Sequence, residues 1–469
     1  MSNSQELHIF SYHGEPLFLL LHRGFFSRES TGFLLFRTVS GSLEKEFVVS
    51  QPCNSENQPL SSAEDKYYKE ESLMRKVLAL VLASLMLVGL LAGCGGGDTT
   101  GGDSDTIKLG WMGSLTGEQA AYGTCESQTL KLLVEKKNAE GGILGKQIEL
   151  ICYDTKGDAQ EAVNVAKRLC AQDKVCAIIG PNASGQCIAI QSVLNEYHIS
   201  DMSTVATNEK VTVQTVGEGE NMKHILQEYN FRVCFLDPEQ GRIAGTFVYD
   251  NLGIDKVAIL YDVNDDYGQG LKDNFVKVFE AKGGTIVAEE KYNGGDADFT
   301  AQLTTIRDSG AELIFTPIFY QDFIMIHKQA RTLGMTLPML GGDGCASEVL
   351  FDAADAVDGS YVINHVSLVD PSTESWRQEY SERWNGAKME LNGYMAYDAF
   401  LVWCAAVEKA GSADPEAIAK AYTEVEVTGI TGTIKIDPAT HNPVGKSGVV
   451  EQIDGANKTY KFIAAVAAE

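Results

Sequence analysis

The sequence predicts an α/β protein in which the chain beyond residue 105 holds two doubly wound units. Three observations carry this. From Thr106 onward, short apolar runs alternate with amphipathic stretches of helical period, the mark of a parallel sheet with helices on both faces. The alternation halts at "FRVCFLDPEQG" and then restarts. Of the 469 residues 44% are hydrophobic, enough for two ordinary domains once an N-terminal leader is set aside.

In the first unit, "IKLGWMGS" reads as a buried strand and "ESQTLKLLVEKKNAEGG" as a helix closed by Gly141 and Gly142. Strand "QIELICYD", helix "DAQEAVNVAKRLCAQ", strand "VCAIIG" and helix "SGQCIAIQSVLNEY" follow. In the second unit the order is helix "GRIAGTFVYDNLG", strand "KVAILYDV", helix "YGQGLKDNFVKVFEAKGG" and strand "TIVAEEKY". Helix "FTAQLTTIRDSG", strand "AELIFTPIF", helix "QDFIMIHKQARTLG" and the strand end "PMLGGDG" complete it. After "SYVINHV" come three helical segments between Thr373 and Val425. The strand-like pieces "GTIKID" and "GVVEQID" could complete either unit.

The stretch "MRKVLALVLASLMLVGLLAGCGGGDTTGGDSD" has the parts of an export signal. Arg75 and Lys76 are its positive start, and Val77 to Leu91 is an apolar run too short for a comfortable membrane span. Leu91-Ala92-Gly93-Cys94 resembles a bacterial lipobox, which implies a diacylglycerol on Cys94 and a cleaved leader over 74–93. Residues 94–105, almost all Gly, Asp, Ser and Thr, read as a flexible tether. Residues 1–73 precede a signal that belongs at an N-terminus. They are expected to be translated upstream DNA, or else a disordered extension, with Met74 as the true start.

A net charge of −26 argues against a nucleic-acid partner, which needs clustered Lys and Arg. Cys53 and Cys94 aside, the cysteines show no C-x-x-C and no paired His spacing. No metal is expected, and the thiols should be mostly free. A dinucleotide fingerprint does not fit "GWMGSLTG", "PVGKSG" has Thr440 where the first Walker glycine belongs, and no Gly-x-Ser-x-Gly elbow occurs. Binding without chemistry, and without a cofactor, is the expected class.

In open parallel sheets ligands sit beyond the carboxyl ends of the strands. Tyr122, Ser184, Thr207, Tyr267, Phe319, Tyr320 and Asp343 stand there. Taken singly, Ser184 reads as a helix cap, Asp343 as a turn residue and each tyrosine as filler. Taken together, an anion site, a carboxylate and several aromatics suit a zwitterion with an apolar tail, an α-amino acid.

"GSLTGEQAAYG", "NAEGGILGKQIELICYDTKGDAQEAVNVAKRL", "IIGPNASGQ", "DDYGQG", "KQARTLG" and "GGDG" resemble the branched-chain amino acid ABC-transporter substrate-binding proteins, from about Ile107 to the C-terminus. The resemblance implies two Rossmann-like lobes, 106–235 plus 364–442 and 236–363 plus 443–469, joined by three hinge crossovers. It implies that Ser184 takes the α-carboxylate and that Thr207 helps with both charged groups. The Val205 carbonyl and the Asp343 carboxylate would hold the ammonium. Tyr122, Tyr267 and Phe319 or Tyr320 would wall the side chain, and Tyr394 either faces the cleft or fills the core. Where the family often has Glu, this chain has the shorter Asp343. Where some members have a disulfide near the first-lobe site, it has Gly157 and Ala183. The implied ligand is Leu, Ile or Val; an amide, urea or an aromatic amino acid are alternatives, as is service as a sensor for a separate partner. The implied partners are a permease and an ATPase on separate chains, with a monomer lipid-anchored at a Gram-positive surface.

Overall fold

The computed structural model describes residues 106–217 and 219–466, with the strands 6–12, 15–21, 33–40 and 43–50. It divides into two units, Met1–Gly101 and Gly102–Glu469. In the first, β1 (Glu6–Tyr12) pairs antiparallel with β2 (Glu15–Leu21), and β3 (Phe33–Ser40) with β4 (Leu43–Ser50). The expectation of disorder over 1–73 missed these two hairpins. Their strands are rich in Leu, Phe and Val, and His-Gly and Gly-Ser stand between the paired ends. The expected leader 74–93, the tether 94–105 and both Cys53 and Cys94 lie outside the described residues.

In the second unit the alternation becomes two sheets. The first holds β5 (Thr106–Gly113), β6 (Gln147–Asp154), β7 (Ala177–Ile179), β8 (Asp201–Ser203) and, beyond a small hairpin of β9 (Val213–Val216) and β10 (Lys223–Leu226), β11 (Asn230–Arg232). All five strands of this sheet are parallel, in the order β11-β8-β7-β5-β6. Helices α1 (Ala120–Ala139), α2 (Ala159–Lys167) and α3 (Ser184–Tyr197) cross between them. Central β5 buries Leu109 and Trp111 completely, as expected of a strand covered on both faces. Asp158 caps α2 by accepting the Glu161 N–H at 2.7 Å. The helix predicted to run to Gln172 widens into a π-turn over Arg168–Asp173. The β9–β10 hairpin was not predicted.

The second sheet holds β12 (Lys256–Asp262), β13 (Thr285–Tyr292), β14 (Leu313–Thr316), β15 (Met339–Gly341) and β16 (Tyr361–Asn364), all parallel. Its helices are α4 (Asp237–Thr246), α5 (Asp266–Ala281), α6 (Thr300–Asp308) and α7 (Tyr320–Thr332). The short α8 (Ala354–Val357) precedes β16, and beyond that strand the chain forms α9 (Glu374–Arg383), α10 (Leu391–Ala410) and α11 (Pro415–Ala421). Helix α10 packs on α1, so this segment returns to the first lobe. A hairpin of β17 (Glu426–Gly429) and β18 (Gly432–Lys435) follows. Then β19 (Gly448–Asp454) and the unpredicted β20 (Thr459–Val466) extend the second sheet antiparallel, so "GVVEQID" completes the second unit while β18, within "GTIKID", pairs only with β17.

The chain thus passes between lobes three times: between Arg232 and Asp237, after Asn364, and between Lys435 and Gly448. Within each lobe the strands of the parallel part lie in the order second, first, third, fourth, fifth. The crevice between the first and third strands is where such sheets accept ligands.

Candidate functional site

A cavity with about 360 Å³ of empty space, part of it open to solvent, lies between the carboxyl ends of the two sheets. The first lobe contributes Gln119, Tyr122, Asn182, Ser184, Val205 and Asn392, and the second Tyr267, Phe319 and Asp343. Ala183, Gly344 and Leu391 complete the lining.

Ser184 is the first residue of α3, not its cap. The cap position falls on Ala183, which has no side chain to offer. Gln186 N–H already donates to the Ala183 carbonyl at 3.1 Å, so the Ser184 and Gly185 N–H groups are the ones left for an anion, with the positive end of the helix dipole behind them. Ser184 Oγ accepts the backbone N–H of Asn208 at 3.2 Å, which fixes the hydroxyl beside that turn.

Asp343, on the tight turn after β15, faces this anion site from the other lobe. Gln240 Nε2 donates to its Oδ1 at 2.9 Å, and His365 Nε2 lies 3.0 Å from its Oδ2. An ionised carboxylate has lone pairs for more than two donors, so both oxygens can still accept from a ligand cation. The glycine before it is required, because a Cβ on Gly342 would stand 2.3 Å from Tyr267 Oη.

Two tyrosines pin the next residue. Tyr267 Oη accepts the Gly344 N–H at 3.1 Å, and Tyr122 Oη donates to the Gly344 carbonyl at 2.7 Å. Burial pushes both phenols well above the ordinary tyrosine range, so they remain neutral donors. Tyr122 reaches this far because α1 lies against the loop after β5; a Cβ on Gly123 would fall 2.1 Å from Ser114 O.

Phe319 lines the cavity, whereas Tyr320 does not. Tyr320 packs edge-on to Tyr122 with ring centroids 4.8 Å apart, and its hydroxyl oxygen accepts the Ala121 N–H at 3.4 Å. It braces the wall instead of forming it. Thr207 is also behind the lining, fully buried, with its carbonyl accepting the Asp237 N–H. Tyr394 is a core residue of α10. The cleft is met instead by the first two residues of α10, Leu391 and Asn392.

The sequence reading missed Gln119, Asn182, Leu391, Asn392, Gln240 and His365. Gln119 and Asn182 lie inside loops already singled out, but as uncharged amides they carried no signal. Gln240 and His365 reach Asp343 only through tertiary packing.

Behind Asn392 is a buried carboxylate. Glu126 accepts from Thr204 Oγ1 at 2.6 Å, Asn392 Nδ2 at 3.0 Å and Trp111 Nε1 at 3.2 Å. Burial pushes its pKa up to about 7 against the pull of these three donors. Glu390, at the start of α10, accepts the Glu348 N–H at 3.0 Å and is likewise pushed up to about 7, first by burial. The eight described cysteines are free, as expected, and among the described residues no cluster of ligands could hold a metal ion.

Residues 106–457 match the family described as periplasmic binding protein. A leucine-, isoleucine-, valine-, threonine- and alanine-binding protein of Pseudomonas aeruginosa is 27% identical over 336 residues, covering 71% of this chain and 86% of that one. The leucine-binding protein LivK of Thermotoga maritima is 30% identical with a TM-score of 0.68, covering 77% and 98%. LivJ of Streptococcus pneumoniae, a branched-chain amino acid transporter substrate-binding protein solved with isoleucine, is 30% identical with a TM-score of 0.69, covering 77% and 99%. With a family match over most of the chain, two lobes of type I topology and a cleft at the switch point of both sheets, this chain belongs to the periplasmic binding proteins and is a solute-binding protein, not an enzyme.

Proposed function

We propose that the chain captures an α-amino acid between its lobes and delivers it to the permease of an ABC importer, whose ATPase is a further separate chain. The observation that carries this is the pairing across one cavity of an uncapped helix start at Ser184 with the carboxylate of Asp343. The first takes the α-carboxylate. The second, with the Val205 carbonyl, takes the α-ammonium, and Thr207 supports both from behind. Relatives named for leucine, isoleucine, valine, threonine and alanine support an amino-acid head group and leave the choice of side chain to the rest of the pocket. The protein works as an extracytoplasmic monomer. The leader pattern that ends at Cys94 supports a lipid anchor, as on a Gram-positive surface.

The test is a thermal-shift screen of the full-length chain against the standard amino acids, repeated with N-acetylated and C-amidated forms of those that bind. A ligand that binds only the folded state raises the melting temperature by mass action. At least one free amino acid should do so, and blocking either end should abolish the rise. The reading fails if no amino acid shifts the transition, or if the blocked forms bind equally well.

A further inference from the structure

We propose that the side-chain half of the cleft selects a neutral polar ligand side chain carrying a hydrogen-bond donor, a carboxamide or a hydroxyl, read by Gln119, Asn182 and Asn392. This rests on the α-amino acid reading and deepens it.

With Ser184, Val205 and Asp343 assigned to the charged end, the ligand side chain meets what is left of the wall. Part of that is apolar: Tyr122, Tyr267, Phe319 and Leu391. The rest is three carboxamides, all at least nine-tenths buried, with Gln119 9%, Asn182 3% and Asn392 2% exposed. Gln119 Oε1 and Asn182 Oδ1 have no hydrogen-bond partner in the protein. Asn392 cannot turn freely, because its amide nitrogen is held by Glu126, itself held by Trp111 and Thr204. The amide oxygen is the group Asn392 has left to offer.

These acceptors are buried, in a cavity only part of which is open to solvent. A branched-chain side chain would cover them with groups that cannot donate, and each covered acceptor would lose its water without replacement. A hydroxyl or a carboxamide supplies the missing donors. A side-chain ammonium is a poorer fit. Asp343, the acidic residue among those lining the cavity, is taken by the head group, and Glu126 already accepts three donors. A site built to hydrogen-bond a polar group discriminates against the analogue lacking it far more strongly than an apolar pocket discriminates by size.

The experiment is calorimetric titration of the full-length chain in mild detergent with Asn, Gln, Ser and Thr against Leu, Ile and Val. At least one polar amino acid should bind about 100-fold or more tighter than every branched-chain one. Asn392→Leu, close in volume, should weaken that polar ligand by roughly 10-fold or more and tighten leucine. Asn182→Leu gives the same readout should the first variant melt early. Branched-chain binding to the unaltered chain as tight as that of every polar amino acid would overturn the inference and leave the α-amino acid reading standing. Loss of binding to all amino acids would overturn both.

Discussion

Tyr122 on the first lobe donates its hydroxyl hydrogen to the carbonyl of Gly344 on the second, 2.7 Å away, across the cleft. The Gly344 N–H is at the same time bonded to Tyr267 within its own lobe, so one peptide neighbour of Asp343 is held from both sides. Tyr122 thus lines the cavity and bridges the two lobes, and as part of the proposed ligand site it is expected to act as a latch on closure. Tyr122→Phe keeps the ring and removes the latch. Affinity for the bound amino acid should fall about 5- to 10-fold, the worth of one buried hydrogen bond. Solution scattering of the liganded variant should show a larger open fraction. Unchanged affinity and unchanged scattering would assign the bond no part in closure.

Asp343→Ala removes the proposed partner of the α-ammonium in a desolvated site. Ligand affinity should fall by at least about thirtyfold, roughly 2 kcal/mol. The substitution also strands Gln240 and His365, so circular dichroism and a melting curve must accompany the titration. Wild-type affinity in a folded variant would remove Asp343 from the ligand site.

The buried carboxylates set the pH dependence of stability. Burial pushes Glu126 and Glu390 up to about 7, above their ordinary value near 4.5. Folded protein then binds more protons than unfolded protein between that value and pH 7. Stability from these groups is complete below the unfolded values and declines as pH rises to about 7, by at most about 3 kcal/mol per Glu. Asp454, pulled down to about 2 by Asn457 and Lys461, acts only below pH 4, whereas His327, pushed down to about 3 by burial, offsets part of the slope between pH 5 and its ordinary value near 6.5. Urea unfolding should therefore show higher stability at pH 5 than at pH 8, and Glu126→Gln should flatten part of the slope. Equal stability at the two pH values would contradict the assignment.

Burial pushes the thiols of Cys125, Cys176 and Cys234 up to about 12, and that of Cys187 well above the ordinary thiol range. The thiolate is the reactive form. These four should be silent to a disulfide reagent in the folded protein and all titrate in denaturant. Rapid labelling of any of them in the native state, located by peptide mapping, would show local opening there.

The lipobox reading has its own test. Cys94→Ser should release the protein from the membrane fraction of the producing cell and leave ligand binding unchanged. An unaltered membrane-bound fraction would rule out Cys94 as the anchor.

Much of the fold was legible because α/β alternation writes itself into local period. Strands β5 and β12 carry apolar runs bounded by polar loops, and α5 and α7 announce themselves by helical spacing. What failed locally were short or edge pieces, such as the β9–β10 hairpin and β20, whose half-buried faces resemble loop. The two hairpins within 6–50 were hidden by a different cause, the expectation of disorder that the internal leader created.

The sequence by itself determined the strand ends and so the loops from which a ligand site had to come. Strand and helix periods depend on nearest neighbours, and the residues after a strand follow from them. Ser184, Tyr122, Tyr267, Phe319 and Asp343 were therefore recoverable as residues that line one cavity. Only the tertiary structure decided which neighbour in each loop faces inward: Phe319 and not Tyr320, Asn392 and not Tyr394. That choice depends on the angle at which a helix leaves its sheet and on contacts such as Tyr320 against Tyr122. It also decided the polarity of the pocket, because Glu126, Trp111, Thr204 and Asn392 come from four separate elements. No local pattern joins them until the lobe has packed.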